Sequence, residues 1–126
     1  MTIEKRKEGL LIKAREASFK VNDKSLEIGD FVIDSPGEYE IKGVSVEAFP
    51  GGVFLIGAEG MGMVYANKKI KPKDIEGMGG VDVLFTSNDE LVRIVEPKVA
   101  VRIDKIKKAI VKPESLSDKG TTIIDA

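Results

Sequence analysis

Phe31–Pro50, FVIDSPGEYEIKGVSVEAFP, is the stretch whose reading decides the fold. Phe31-Val32-Ile33 is a short aromatic and β-branched run that stops at Asp34-Ser35-Pro36-Gly37, so it reads as a strand closed by a turn. Pro36 presets φ for the second position of a β-turn, and Gly37 tolerates positive φ at the third. That pairing predicts a type II turn over residues 35–38. Beyond it, Tyr39 and Ile41 alternate with Glu38, Glu40 and Lys42, the pattern of a strand with one wet face. Val44, Val46 and Ala48 carry the apolar set onward on even rather than odd positions. A period of two cannot change parity without a turn or an extra residue, so Gly43 is expected to mark a bulge or a tight bend.

Toward the N-terminus, Leu10-Leu11-Ile12 and Ala17–Val21 read as two short strands or one bent one. Asn22-Asp23-Lys24 reads as a turn, and Leu26-Glu27-Ile28 as a brief extended piece closed by Gly29. Toward the C-terminus, Pro50-Gly51-Gly52 is a turn and Val53-Phe54-Leu55-Ile56 an unbroken apolar run, as in a strand covered on both faces. Gly57-Ala58-Glu59-Gly60 suits a hairpin loop, with Met61–Ala66 returning beside it. Pro72, Ile75 and Gly77 suggest a turn of helix over residues 72–76. Val81–Phe85 is a strand. Ser87 and Glu90 have capping-box spacing ahead of a short helix with Leu91, Ile94 and Val95 on one face, stopped at Glu96-Pro97. Val99-Ala100-Val101, Ile110-Val111 and Thr121–Ile124 complete the strands. Many short strands with two small late helices predict a β-rich α/β layer structure in one domain, residues 1–126.

The chain has 126 residues, 20 Lys+Arg against 21 Asp+Glu, no cysteine and no histidine. Near-zero net charge gives no global pull toward nucleic acid or anionic lipid. The lack of cysteine excludes disulfides, thiolate metal sites and cysteine nucleophiles. The lack of histidine removes the usual general base near neutral pH and the commonest transition-metal ligand. Met1–Glu8 has no apolar run behind its charges, so it does not read as a secretory signal, and no window reaches the length of a membrane span. A cytoplasmic protein is the expectation. Plentiful Lys and Glu with scarce amides lean toward a thermophilic source.

The segment FVIDSPGEYEIKGVSV resembles one with a Pro-Gly-Glu-Tyr-Glu core found in a branch of the metallo-β-lactamase-fold hydrolases. Leu11–Val21 is similar to that branch's first strand pair, Phe54–Ala66 to its central hairpin and Lys73–Phe85 to the helix and strand that follow. Val95–Val101 and Lys112–Ile124 are similar to its closing elements. The resemblance implies a metallo-β-lactamase-like β-sandwich with short outer helices, here in reduced form. It also implies a metal site made by an HxHxDH loop, a further His, a bridging Asp and a last His. Between Val21 and Phe31, where the branch places that loop, there is only Asn22–Asp30. Glu16 sits near one expected His, Asn67-Lys68-Lys69 replaces a Gly-Asp turn, and Asp104 falls near the last His. No ligand carries over, so no cofactor is expected and metal-activated hydrolysis is not supported.

Other candidates have a plainer reading beside the chemical one. Glu38 and Glu40 on one strand face invite a paired-carboxylate or hard-metal site, against a solvated face with Lys42 alongside. Asp34 is a turn-former. Gly57–Gly62 and Gly77–Gly80 lack the Lys-Ser/Thr of a phosphate loop and read as turns. Met61, Met63 and Tyr65 at strand spacing read as core or interface filler. Arg102, Lys105, Lys107, Lys108 and Lys112 form the one basic run, and RNA contact is tempting because relatives of the resembled fold process RNA. Acidic and aliphatic residues interrupt the run and no aromatic stands by for base stacking, so a solvated face is favoured. The expectation is a non-catalytic relative that works through assembly, as a homodimer or with a partner such as a full-length relative. An RNA-binding accessory protein and a carboxylate/hard-metal hydrolase are the alternatives.

Overall fold

The computed structural model describes residues 1–67, 80–116 and 119–126, and in it two β-sheets pack face to face. One sheet is built from β1 (Thr2–Arg6), β2 (Gly9–Lys13), β3 (Ser18–Val21), β4 (Leu26–Ile28), β5 (Phe31–Ile33) and β12 (Lys108–Ile110). It is six-stranded and antiparallel throughout, in the order β12-β1-β2-β3-β4-β5. The other holds β6 (Gly37–Ile41), β7 (Val44–Phe49), β8 (Val53–Ala58), β9 (Met61–Tyr65), β10 (Val83–Thr86), β11 (Val99–Arg102) and β13 (Thr122–Ile124). It is seven-stranded, in the order β13-β11-β10-β9-β8-β7-β6, parallel from β13 to β9 and antiparallel from there on. The helix α1 (Asp89–Val95) connects β10 to β11 and lies on the outer face of this sheet.

Period-two alternation accounts for the core. Ile3, Leu10, Ile12, Phe19, Val21, Leu26, Ile28 and Ile33 point inward from the six-stranded sheet and meet Val46, Phe54, Ile56, Met63, Val83, Phe85 and Val101. The second cluster sits on the far side of the seven-stranded sheet, where Leu91 of α1 packs with Val64 and Leu84. The apolar run predicted for a two-face strand is buried at Val53, Phe54 and Ile56 but only partly at Leu55, whereas β10 is buried on both faces.

Several local expectations meet a different geometry. The predicted type II turn does not form: Gly37 has φ 153°, far from the turn value, and it opens β6. Asp34–Pro36 instead carries the chain from one sheet to the other, since β5 and β6 belong to different sheets. Tyr39 fastens this corner, its hydroxyl donating to the Ser35 carbonyl at 3.0 Å and its ring meeting Phe31 edge-on at 6.3 Å. The parity change at Gly43 is a tight bend. Ile41 pairs with Val44, leaving Lys42-Gly43 as a two-residue loop with φ 53° and 81°, the pattern of a type I′ turn. Glu59-Gly60 repeats it between β8 and β9, with φ 52° and 71°.

The cap of α1 is Asn88, not Ser87: Asn88 Oδ1 accepts from the Glu90 amide at 2.9 Å. Leu91 is buried and Val95 packs with it, but Ile94 is exposed, one step off the apolar stripe. Glu96 ends the helix in the left-handed region ahead of Pro97. The strand β1 was not anticipated, because Ile3 is its one fully buried residue among charges. β12 lies at 108–110, slightly ahead of the expected Ile110-Val111. The helix expected over residues 72–76 lies outside the described residues, as do Lys68, Lys69 and most of Gly77–Gly80. No helix among the described residues is long and apolar enough to cross a membrane.

Candidate functional site

Parallel strands place their carboxyl ends at one rim of a sheet, the usual ligand-bearing edge of α/β structures. Tyr65, Ser87 and Arg102 stand at the ends of β9, β10 and β11 on this rim, next to Asn67. The facing sheet contributes Asp23 from the β3–β4 turn. Asn22 shapes that turn, its Oδ1 accepting from the Lys24 and Ser25 amides at 2.8 and 2.9 Å. Gly52 is obligatory beside it: with φ 77°, any Cβ there would lie 1.9 Å from the Asp23 carbonyl.

These groups close on one another. The Tyr65 hydroxyl donates to Asp23 Oδ1 at 2.8 Å, and Asn67 Nδ2 donates to the same oxygen at 2.9 Å. Asn67 Oδ1 in turn accepts from the Ser87 amide and hydroxyl at 2.8 and 2.9 Å. Burial of the Tyr65 phenol pushes its pKa well above the usual 10.0, and the hydrogen bond to Asp23 and the charge of that carboxylate add to the rise. The phenol therefore stays a donor at neutral pH. A cavity of about 400 Å³ opens beside this network, with Lys5, Lys7, Lys24 and Ile103 among its walls.

Arg102 and Asp104, both singled out from the sequence, come together. The Arg102 guanidinium pairs with Asp89 in the first turn of α1 and with Asp104 at 3.4 Å. Its Nε is buried and without a partner among the described residues. Arg102 is thus a tie between α1 and β11 and not a free basic contact. Lys105 and Lys108 are exposed, and the Lys5 amide donates to the Lys107 carbonyl at 2.8 Å, which brings the N-terminal Lys5–Lys7 tract alongside them. Glu38 and Glu40 share the exposed face of β6, and Glu47 stands directly opposite Glu38 on β7. A shallow depression of about 420 Å³ runs over them to Leu55.

The positions that the resemblance sets nearest metal ligands do not converge. Glu16 accepts from the Glu59 amide at 2.7 Å, at the β8–β9 turn. Asn67 follows the opposite end of β9, which at about 3.3 Å per residue leaves a gap many times a metal–ligand bond. Among the described residues, no three His, Cys, Asp or Glu side chains group so as to hold a metal ion. Among the described residues, the network around Asn67 offers one carboxylate oxygen already shared by two donors and an amide, a donor set that does not fit zinc.

Sequence reasoning placed Asp23 in a turn and Tyr65 in the core, and it noted Asn67 only as a departure from the resembled pattern. What joins them is a contact between sheets some forty residues apart, which no local spacing encodes.

No family model matches the sequence, and no curated protein does. Among solved structures, a crystal structure from Thermotoga maritima superposes with a TM-score of 0.67 at 14% sequence identity, covering 100% of both chains. That structure is described as a candidate Zn-dependent hydrolase of the metallo-β-lactamase superfamily. The chain has the metallo-β-lactamase fold. At this identity the likeness extends to the fold and not to the chemistry. The rim described above is the carboxyl end of the parallel strands within this fold, so its side chains carry the functional reading.

Proposed function

We propose that this chain is a non-catalytic variant of the metallo-β-lactamase fold, shortened in its loop region, that acts by associating with itself or with a protein partner. One observation carries the reading: the polar groups gathered around Asn67 at the rim of the parallel strands satisfy each other. Asp23, Tyr65, Asn67 and Ser87 form a closed chain of hydrogen bonds, and Asp104 is held by Arg102. A hydrolytic site needs polar groups turned toward substrate and a base whose pKa suits proton transfer near neutral pH. Tyr65 is driven away from that range. Association is supported by exposed apolar residues at strand edges, Phe31 and Val32 on β5, Ile110 on β12 and Ile123 on β13. A dimer is the smallest assembly expected.

The test is direct. Purified protein should contain metal far below one equivalent by elemental analysis. It should also leave phosphodiester, ester and lactam substrates unhydrolysed in the presence of Zn²⁺, Mn²⁺ or Mg²⁺. Stoichiometric metal with turnover would sink the proposal and restore the carboxylate-hydrolase alternative. Retention on RNA that falls steeply with salt would instead favour the RNA-binding one.

A further inference from the structure

We propose that copies of this chain join head to tail, the free edge of β5 in one copy pairing with the free edge of β12 in the next. This surface presupposes the self-association proposed above and assigns it a place. Among the described residues, β5 and β12 are the two terminal strands of the six-stranded sheet, and no further strand pairs with either. In the β4–β5 hairpin the loop is Gly29-Asp30, so Ile28 and Phe31 form the hydrogen-bonded pair nearest the loop. The N–H and C=O of Val32 consequently face away from β4. On the opposite side, the Lys5 amide donates to the Lys107 carbonyl and the Val111 amide to the Met1 carbonyl. Residues 107, 109 and 111 thus face β1, and the backbone groups of Lys108 and Ile110 face outward.

The side chains match in the register that the backbone groups select. Val32 is 49% exposed and Ile110 is 61% exposed, both on the outer face of the sheet. An antiparallel pairing with Val32 opposite Ile110 brings Asp34, the residue that follows β5, toward Lys108, and neither charge has an ion-pair partner among the described residues. Two-fold pairings are worse. β5 against β5 with Val32 centred sets Asp30 against Asp34, and β12 against β12 with Ile110 centred sets Lys108 against Lys112.

Strand direction agrees as well. The six strands alternate in direction throughout, so the two edges run oppositely, and a copy shifted sideways presents β12 antiparallel to β5. The contact is heterologous: it closes into a ring or continues as a twisted filament, according to the rotation per copy.

Sedimentation of the full chain across a wide concentration range tests this. Wild type should gain mass with concentration beyond a dimer. Asp34→Lys and Lys108→Asp should each weaken association about tenfold, because a cross-strand attraction becomes a repulsion. An equimolar mixture of the two variants should regain it, since each then offers the edge the other lacks. Val32→Pro, which removes an outward N–H without breaking the β4 ladder, should abolish it, with circular dichroism confirming that each variant is folded. A strictly monomeric wild type would overturn both this surface and the self-association it presupposes. Association unchanged in Asp34→Lys, Lys108→Asp and Val32→Pro would overturn this surface alone.

Discussion

The two sheets bury their residues in different ways. In the six-stranded sheet one face is dry and the other wet: Phe19 and Val21 are buried while Ser18 and Lys20 between them are exposed. In the seven-stranded sheet β10 is buried at every position, Val83 through Thr86. Among the described residues, the first sheet packs only on its partner, and the second is sandwiched between that partner and the cluster under α1. A strand dry on both faces can show polar groups only at its ends, and Asn67, Ser87 and Arg102 lie at such ends. The antiparallel sheet spends its charges across a solvated face, where they hold one another weakly, as Glu4 does with Arg6 and Lys13.

The comparison can be broken most easily where the two sheets differ most. Leu84→Ala, in the covered outer face of β10, should cost about 2–5 kcal/mol in denaturant unfolding. Leu11→Ala, on the outer face of β2, should cost less, about 1–2 kcal/mol, because Leu11 is only partly buried there. Equal costs would mean that α1 does not seal its side of the seven-stranded sheet.

A second measurement sharpens the role of the strand ends. The folded state holds the Tyr65 proton more tightly than the unfolded chain, whose phenol titrates near 10.0. Below pH 10 the contribution is fully present. Above it the unfolded state loses its proton first, so stability should fall as pH rises, by at most about 1.4 kcal/mol per pH unit from this group. Subtracting the profile of Tyr65→Phe from that of wild type between pH 9 and 11.5 isolates the effect. A flat difference would show that neither burial nor Asp23 raises the affinity of the phenol for its proton.

Asn67→Ala should cost about 1–2 kcal/mol, since it strips one donor from Asp23 and leaves the Ser87 amide without its acceptor. The smallest effect belongs to the exposed face of β6. Glu38→Lys replaces a like-charge pair with Glu47 by an opposite one, and should raise stability by about 0.2–1 kcal/mol at low salt, fading as salt is added.

The strands whose alternation is clean were legible from residues alone, among them β3, β4 and β7, and β5 was legible as a β-branched run closed by a turn. The reversal at Gly43 was legible too, because parity cannot shift without one. Thr2–Arg6 escaped because its charges hide the period, and Ser35–Glu38 misled because Pro-Gly chemistry fits a corner between sheets as well as a hairpin turn. Asn88 took the cap from Ser87 because Asn67 claims the Ser87 hydroxyl and amide. Of the candidate residues, Arg102 and Asp104 were brought together, Glu38 and Glu40 were left on a solvated face, and the Asp23–Tyr65–Asn67 link went unseen.

By itself the sequence determined that the chain would be β-rich, and that neither imidazole nor thiolate could take part in whatever it does. Period-two alternation and composition are local, so they survive without a structure. Only the tertiary structure decided which polar groups meet at the strand ends and which two edges carry opposite charge. Those depend on sheet order and register, which are set by packing between segments far apart in the chain.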